Sequence, residues 1–129
     1  MGEVEEIKVG EYVRTRSGNI GKVLDITNVT MQKRKKYLIK WDISKAYYIT
    51  AIRIVKHSPN IIDLIENDDF ITLGKNCYPL RVDAIWELGG ELNIELDNGA
   101  QFEDIKNDKD FQIYSIVTHE QFNQVKYEV

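Results

Sequence analysis

Four segments occur twice, in the same order, and this repeat constrains the fold more than any other feature of the chain. Glu11-Tyr12-Val13, an acid, an aromatic and a β-branched residue, is matched by Asp69-Phe70-Ile71 at an offset of 58. "KVLDI" (22–26) is matched by "RVDAI" (81–85), "YLIKWD" (37–42) by "LNIELD" (92–97), and "IVKHS" (54–58) by "IVTHE" (116–120). The offsets run from 55 to 62, a drift expected of two copies of one supersecondary unit that differ in loop length. The last pair holds both histidines of the chain, His57 and His119, which the repeat places at equivalent positions.

The segments read as strands. "ELNIELD" puts Leu92, Ile94 and Leu96 on one face and Glu91, Asn93, Glu95 and Asp97 on the other, the period-two pattern of a half-buried strand. By the same rule "KYLIKWD" groups Tyr37, Ile39 and Trp41, and "PLRVDAIW" groups Leu80, Val82, Ala84 and Trp86. Ser17-Gly18-Asn19, Gly89-Gly90 and Asp97-Asn98-Gly99 separate them, all rich in residues that tolerate positive φ. After each Ile-Val-x-His frame a short helical signal follows, an N-cap with proline behind it at Ser58-Pro59 and capping-box spacing at Thr118-x-x-Gln121. The stretches "IIDLI" (61–65) and "VKYEV" (125–129) then read as closing strands. Four strands, a helical turn and a fifth strand is the order of an SH3-like barrel. The sequence therefore predicts a mostly β chain of two tandem SH3-like five-stranded barrels, 5–65 and 66–129, each with a one-turn helix before its last strand.

Composition narrows the class. At 129 residues, 43% apolar and 29% charged, the chain has the balance of a globular protein. No apolar run approaches the roughly 20 residues that span a bilayer, and the acidic start "MGEVEEIK" lacks the basic and apolar blocks of a signal peptide, so a cytoplasmic protein is expected. A lone cysteine, Cys77, excludes an internal disulfide and a multi-cysteine zinc site. Residues 1–62 carry 12 Lys and Arg against 6 Asp and Glu, and residues 63–129 carry 5 against 15, so the halves stand at +6 and −10.

The stretch "VGEYVRTRSGNIGKVLDI" (9–26) resembles the opening of KOW and Tudor-type SH3-like domains, with Gly10, Gly18 and Gly21 set around the first hairpin. The chain as a whole, above all "IVKHSPNIIDLIE" and "SIVTHEQFNQVKYEV", looks like small proteins carried by phages and prophages of Gram-positive bacteria. That resemblance implies an accessory role in the bacterial host cytoplasm, directed against host defence, and supplies no catalytic residues.

Candidate binding residues follow from charge and aromatics. Lys33, Arg34, Lys35 and Lys36 form a basic run between the second and third strands, and Arg14 and Arg16 lie at the first hairpin. In the SH3-like order both border one groove, to which Trp41, Tyr47 and Tyr48 offer stacking surfaces. The competing reading is a solvated loop over core aromatics. On the acidic half, Glu91 and Glu95 either keep the domain soluble or imitate nucleic-acid phosphates toward a basic protein surface. Adjacent pairs such as Asp68-Asp69 point to opposite strand faces, "DNGAQFEDIKND" lacks the glycine and glutamate of an EF-hand, and no phosphate-binding loop, nucleophile elbow or HExxH occurs. The expectation is a non-catalytic protein without cofactor or metal. Its leading function is that of a phage counter-defence inhibitor, anti-CRISPR-like, occupying a surface on a host protein or nucleoprotein. The alternative is a nucleic-acid-binding module that contacts RNA or DNA through the basic first barrel.

Overall fold

The computed structural model describes residues 6–29 and 34–127, with side chains at all of these except 28, 29, 34 and 124–127. The chain divides into two units, residues 1–64 and 65–129. The first holds β1 (Tyr12–Thr15), β2 (Ile20–Val29), β3 (Arg34–Asp42), β4 (Lys45–Thr50), a 3-10 turn at Ala51–Arg53, β5 (Ile54–Ser58) and a second 3-10 turn at Ile61–Leu64. Its strands form one antiparallel sheet in the order β4-β3-β2-β1-β5. The second holds β6 (Phe70–Thr72), β7 (Leu80–Leu88), β8 (Glu91–Leu96), β9 (Gln101–Phe102), β10 (Ser115–Val117) and α1 (His119–Tyr127), with the sheet order β10-β6-β7-β8-β9. The chain is mostly β, and both sheets set the last strand beside the first.

The likeness between the sheets extends to single hydrogen bonds. Val23 N donates to Glu11 O and Gly10 N to Val23 O, each at 2.8 Å. In the second sheet Val82 N donates to Asp69 O at 2.7 Å and Asp68 N to Val82 O at 2.8 Å. The residues that open these clamps, Gly10 and Asp68, both have positive φ, at 93° and 73°. One place further on, each second strand carries a one-residue bulge, Leu24 between the pairs Val23–Ile39 and Asp25–Leu38, and Asp83 between Val82–Leu96 and Ala84–Glu95. A bulge exchanges the faces of every residue beyond it. Beyond Asp83, accordingly, Ile85 lies opposite the buried Ile94, Ala84 opposite Glu95, and Trp86 is displayed on the surface, so the uninterrupted alternation predicted for "PLRVDAIW" stops at Val82.

The first core gathers Ile7, Val13, Val23, Tyr37, Ile39 and Ile49, with Ile26, Trp41 and Ile54 packed at its rim. Ile71, Val82, Ile94, Leu96, Ile105 and Phe111 are buried in the second unit.

Five expectations need correction. The edge strands, β4 and β5 in one sheet and β9 and β10 in the other, are not paired with each other, so the sheets are open and not closed barrels. The fifth strands are the Ile-Val-x frames themselves, 54–58 and 115–117, because β1 and β6 leave a free edge that these segments complete. Residues 61–64 form a 3-10 turn instead of a strand, and 125–127 belong to α1. The capping box is responsible for α1: Thr118 N donates to Gln121 Oε1 at 3.1 Å and Gln121 N to Thr118 Oγ1 at 3.3 Å, and the helix so started runs through Tyr127. A one-turn helix precedes the last strand only in the first unit; in the second, 103–114 contains turns and no helix. Finally, Ser58 lies opposite Tyr12 and Val117 opposite Phe70, so His57 corresponds to Ile116 and not to His119.

Candidate functional site

The first unit has a hollow of about 250 Å³ lined by Thr15, Arg16, Ser17, Asn19, Trp41, Tyr47, Ile49 and Arg53. Its floor follows from the strand faces. Tyr37 and Ile39 point into the core, and Trp41, two residues on, continues their row to the end of the sheet. Across the ladder Ile49 is buried while Tyr47, on the same face, is half exposed, and its ring lies 5.4 Å from that of Trp41 at 37°. Gly21 makes room for this arrangement. A Cβ there would run into Ile39 Cγ2 and stand 2.8 Å from Lys40 O and 2.9 Å from Trp41 Cε3.

The rim is the β1–β2 turn. Thr15 N donates to Asn19 O at 2.9 Å, Asn19 N to Thr15 Oγ1 at 3.1 Å, and Gly18, with φ of 89°, closes the turn. The Thr15 and Ser17 hydroxyls lie 3.1 Å apart and Asn19 Nδ2 donates to Ser17 Oγ at 3.3 Å, so the polar rim is held by its own hydrogen bonds. Arg16 N donates to Arg53 O at 3.0 Å, which ties the turn to the 3-10 segment and sets both arginines on one wall. No carboxylate lines the hollow among the described residues. Trp41 Nε1 is buried and has no hydrogen-bond partner among the described residues. Two arginines and an aromatic pair suit a planar group bearing negative charge, and they repel the cations that aromatic cages commonly take.

Arg53 also borders a second hollow, of about 190 Å³, formed with Lys36, Tyr48, Ile49 and Thr50. Tyr47 and Tyr48 point to opposite faces of β4, an edge strand, so cations and rings are available on both sides of it. Arg16 and Arg53 thus border one hollow with Trp41 and Tyr47, and Arg53 and Lys36 border the other with Tyr48.

The other candidates fall elsewhere. Arg14 is wholly buried, its Nη1 donating to Leu64 O at 2.9 Å, because β1 is an inner strand covered by the 3-10 turn at 61–64; it is a structural arginine and not a surface contact. Lys33 lies outside the described residues, as does the side chain of Arg34. Arg34, Lys35 and Lys36 belong to β3, opposite Val29, Asn28 and Thr27, instead of to a loop. Lys35 Nζ sits 2.8 Å from Glu6 Oε1, and this contact lowers the Glu6 pKa and raises that of Lys35. Glu91 is exposed at the start of β8, and Glu95, half-buried in the same strand, accepts from Gln101 Nε2 at 3.1 Å; both belong to the second unit. The sequence presents Ser17-Gly18-Asn19 only as a turn and gives Arg53 no distinction, so half of the hollow is not marked in it. The one available signal is a lone arginine between Ile52 and Ile54 just before a strand.

No family model matches this chain, and comparison with curated proteins and with solved structures gives no significant match.

Proposed function

We propose that the chain is a non-catalytic binding protein of two SH3-like units, acting in a bacterial cytoplasm, whose first unit takes a segment of single-stranded nucleic acid across Arg16, Trp41, Tyr47 and Arg53. The SH3-like assignment is supported by the sheet order β4-β3-β2-β1-β5 and by the single 3-10 turn between β4 and β5. The observation that carries the ligand class is the pairing of the Trp41 ring with the half-exposed Tyr47 ring in a hollow that Arg16 and Arg53 also line. Such a set stacks a base and neutralises the flanking phosphates, and stacking alone is worth about 1–3 kcal/mol per base.

Tryptophan fluorescence tests it. In Trp86→Phe, which leaves Trp41 as the sole indole, oligo-dT or oligo-U quenches emission saturably at low salt. Each phosphate contact contributes about 0.7 to the log–log salt slope for single strands, so Arg16→Gln with Arg53→Gln lowers it by roughly 1.4. No saturable quenching, or quenching and slope that are the same in the double variant, refutes the reading.

A second reading is a counter-defence inhibitor seated on a host protein or nucleoprotein. It is favoured by Ile43, 97% exposed at the tip of the β3–β4 turn beside a hollow of about 290 Å³ that includes Leu24 and Ala46. Pull-down with and without nuclease separates the two, since a protein partner held through Ile43 survives nuclease and is lost in Ile43→Asp.

A further inference from the structure

In the second unit His119 opens α1 with its Nε2 3.1 Å from Glu66 Oε1 and 3.5 Å from Glu120 Oε1. One ligand atom from each of these three residues lies within 4.8 Å of the others, and the side chains are between a quarter and a third exposed, shielded yet reachable. Bonds of about 2.0–2.2 Å from zinc to imidazole nitrogen and carboxylate oxygen place neighbouring ligand atoms of a tetrahedral shell roughly 3.3–3.6 Å apart. The His119–Glu120 contact has that spacing, and the His119–Glu66 contact is slightly shorter.

The backbone that carries these ligands is fixed from beneath. Asp69 is wholly buried, and its carboxylate accepts from Glu66 N at 2.8 Å and from His119 N at 2.9 Å. One side chain therefore holds both ligand-bearing segments in register, and its own negative charge lies under the site. The Thr118–Gln121 capping box fixes the start of the helix that presents His119 and Glu120. Both bonds to Asp69 come from backbone N–H groups, so Asp69 sets the positions of the two segments and not the orientation of the ligating side-chain atoms.

The repeat supplies a second argument. Glu66 N donates to the Asp69 carboxylate and Asp69 N to Glu66 O, as Lys8 N donates to the Glu11 carboxylate and Glu11 N to Lys8 O, so Lys8 is the counterpart of Glu66. Counting on from the strand pairs Tyr12–Ser58 and Phe70–Val117 makes Asn60 and Ile61 the counterparts of His119 and Glu120. The matching positions thus carry a lysine, an asparagine and an isoleucine in one copy and a glutamate, a histidine and a glutamate in the other, and while the 8–11 and 66–69 turns share their bonds, Asn60 N donates to Ser58 Oγ where His119 N donates to Asp69. His57 in the first unit contacts Glu11 instead, Nδ1 to Oε1 at 2.9 Å, in a two-membered pair.

We propose that Glu66, His119 and Glu120 bind a divalent transition metal of the zinc class, with solvent completing the coordination. One nitrogen and two carboxylate oxygens suit Zn²⁺, while the imidazole argues against Mg²⁺ or Ca²⁺, which prefer all-oxygen shells.

The test is calorimetric titration of the chelator-treated full chain with ZnCl₂, together with the His119 ring resonances in NMR. The expected result is one saturable Zn²⁺ per chain with the His119 ring shifted. Glu120→Gln and Glu66→Gln keep the side-chain shape, and each weakens binding at least about tenfold, the loss that even outer-shell substitutions produce at metal sites. Glu11→Gln, at the histidine pair of the first unit, leaves the affinity unchanged. His119→Asn abolishes uptake, and circular dichroism reads whether it folds; if it does not, the two glutamine variants decide. No saturable uptake at millimolar Zn²⁺, uptake equally strong in both glutamine variants, or uptake that shifts His57 and not His119 overturns the proposal.

Discussion

Gly21→Ala is the substitution whose sign most directly tests the packing at the candidate site. Gly21 lies in β2 opposite Val13, and its backbone is not in the left-handed region that favours glycine. At such a position alanine ordinarily stabilises by about 0.4–1 kcal/mol, through the smaller freedom it leaves the unfolded chain. Here the added methyl meets Ile39 Cγ2, Lys40 O at 2.8 Å and Trp41 Cε3 at 2.9 Å. Ile39 is wholly buried and the carbonyl is backbone, so neither yields without moving β3. Overpacking of this kind costs about 1–3 kcal/mol, which outweighs the entropic gain. For a unit of this size each kcal/mol is worth roughly 4–8 °C in Tm, so the first unit should melt on the order of 10 °C lower. Each unit holds one tryptophan, so Trp41 emission in a Trp86→Phe background follows the first unit alone. A Tm that stays level or rises in Gly21→Ala would mean that β2 and Trp41 are not packed as described.

In Asp69→Asn one carboxylate oxygen becomes an NH₂ group facing a backbone N–H, so the second unit should lose about 1–3 kcal/mol, read by urea unfolding on Trp86 emission in a Trp41→Phe background; an unchanged midpoint would show that the Glu66 and His119 amides do not rest on this side chain. Asp68, at φ of 73°, occupies a conformation disfavoured for residues with a Cβ, and Asp68→Gly should raise the midpoint of the same transition by up to about 1 kcal/mol. A fall in stability there would argue that the Asp68 side chain holds the turn. The Asp42 carboxyl is held below its ordinary pKa by hydrogen bonds from the Ser44 backbone N–H and then its hydroxyl, at 2.7 and 2.9 Å. Its folded pKa lies below the unfolded one, so its contribution is complete above the unfolded value and disappears as pH falls through the lowered one. NMR titration should place the Asp42 midpoint below the usual aspartate range, and Ser44→Ala should raise it part of the way; a midpoint indifferent to Ser44→Ala contradicts the hydroxyl bond.

Apolar rows that alternate are legible in the sequence, and Ile94 and Leu96 of β8 and Tyr37 and Ile39 of β3 lie where alternation puts them, while the register shift at Trp41 and the burial of Asn93 are not foreseen. Bulges are not, because one extra residue leaves composition unaltered while reversing every later side chain; Trp86 is reversed for that reason. Short closing strands are ambiguous on local grounds. "VKYEV" alternates as a strand does, yet the capping box upstream commits it to α1, while Ile61–Leu64 follows the Asn60 side chain, which accepts from Ile62 N at 3.1 Å. Arg14 looks like a surface cation because arginine usually is one. The 3-10 turn returning over β1 supplies a carbonyl that helps to make its burial tolerable. Of the candidate site, the aromatics Trp41 and Tyr47 were readable as strand-end rings, while Arg53 comes to them through tertiary contact alone.

Setting the last strand beside the first has a consequence for synthesis. The meander from β2 to β4 joins near neighbours in sequence and can form early, whereas β1 gains its second partner only with residues 54–58, and β6 gains its own only with 115–117. On the ribosome each nascent sheet therefore waits with an inner strand exposed along one side until nearly its whole unit has emerged. Translation pauses within 45–53 or 101–114 would lengthen that wait, and the open side of β1 or β6 is where a stalled chain would pair with another.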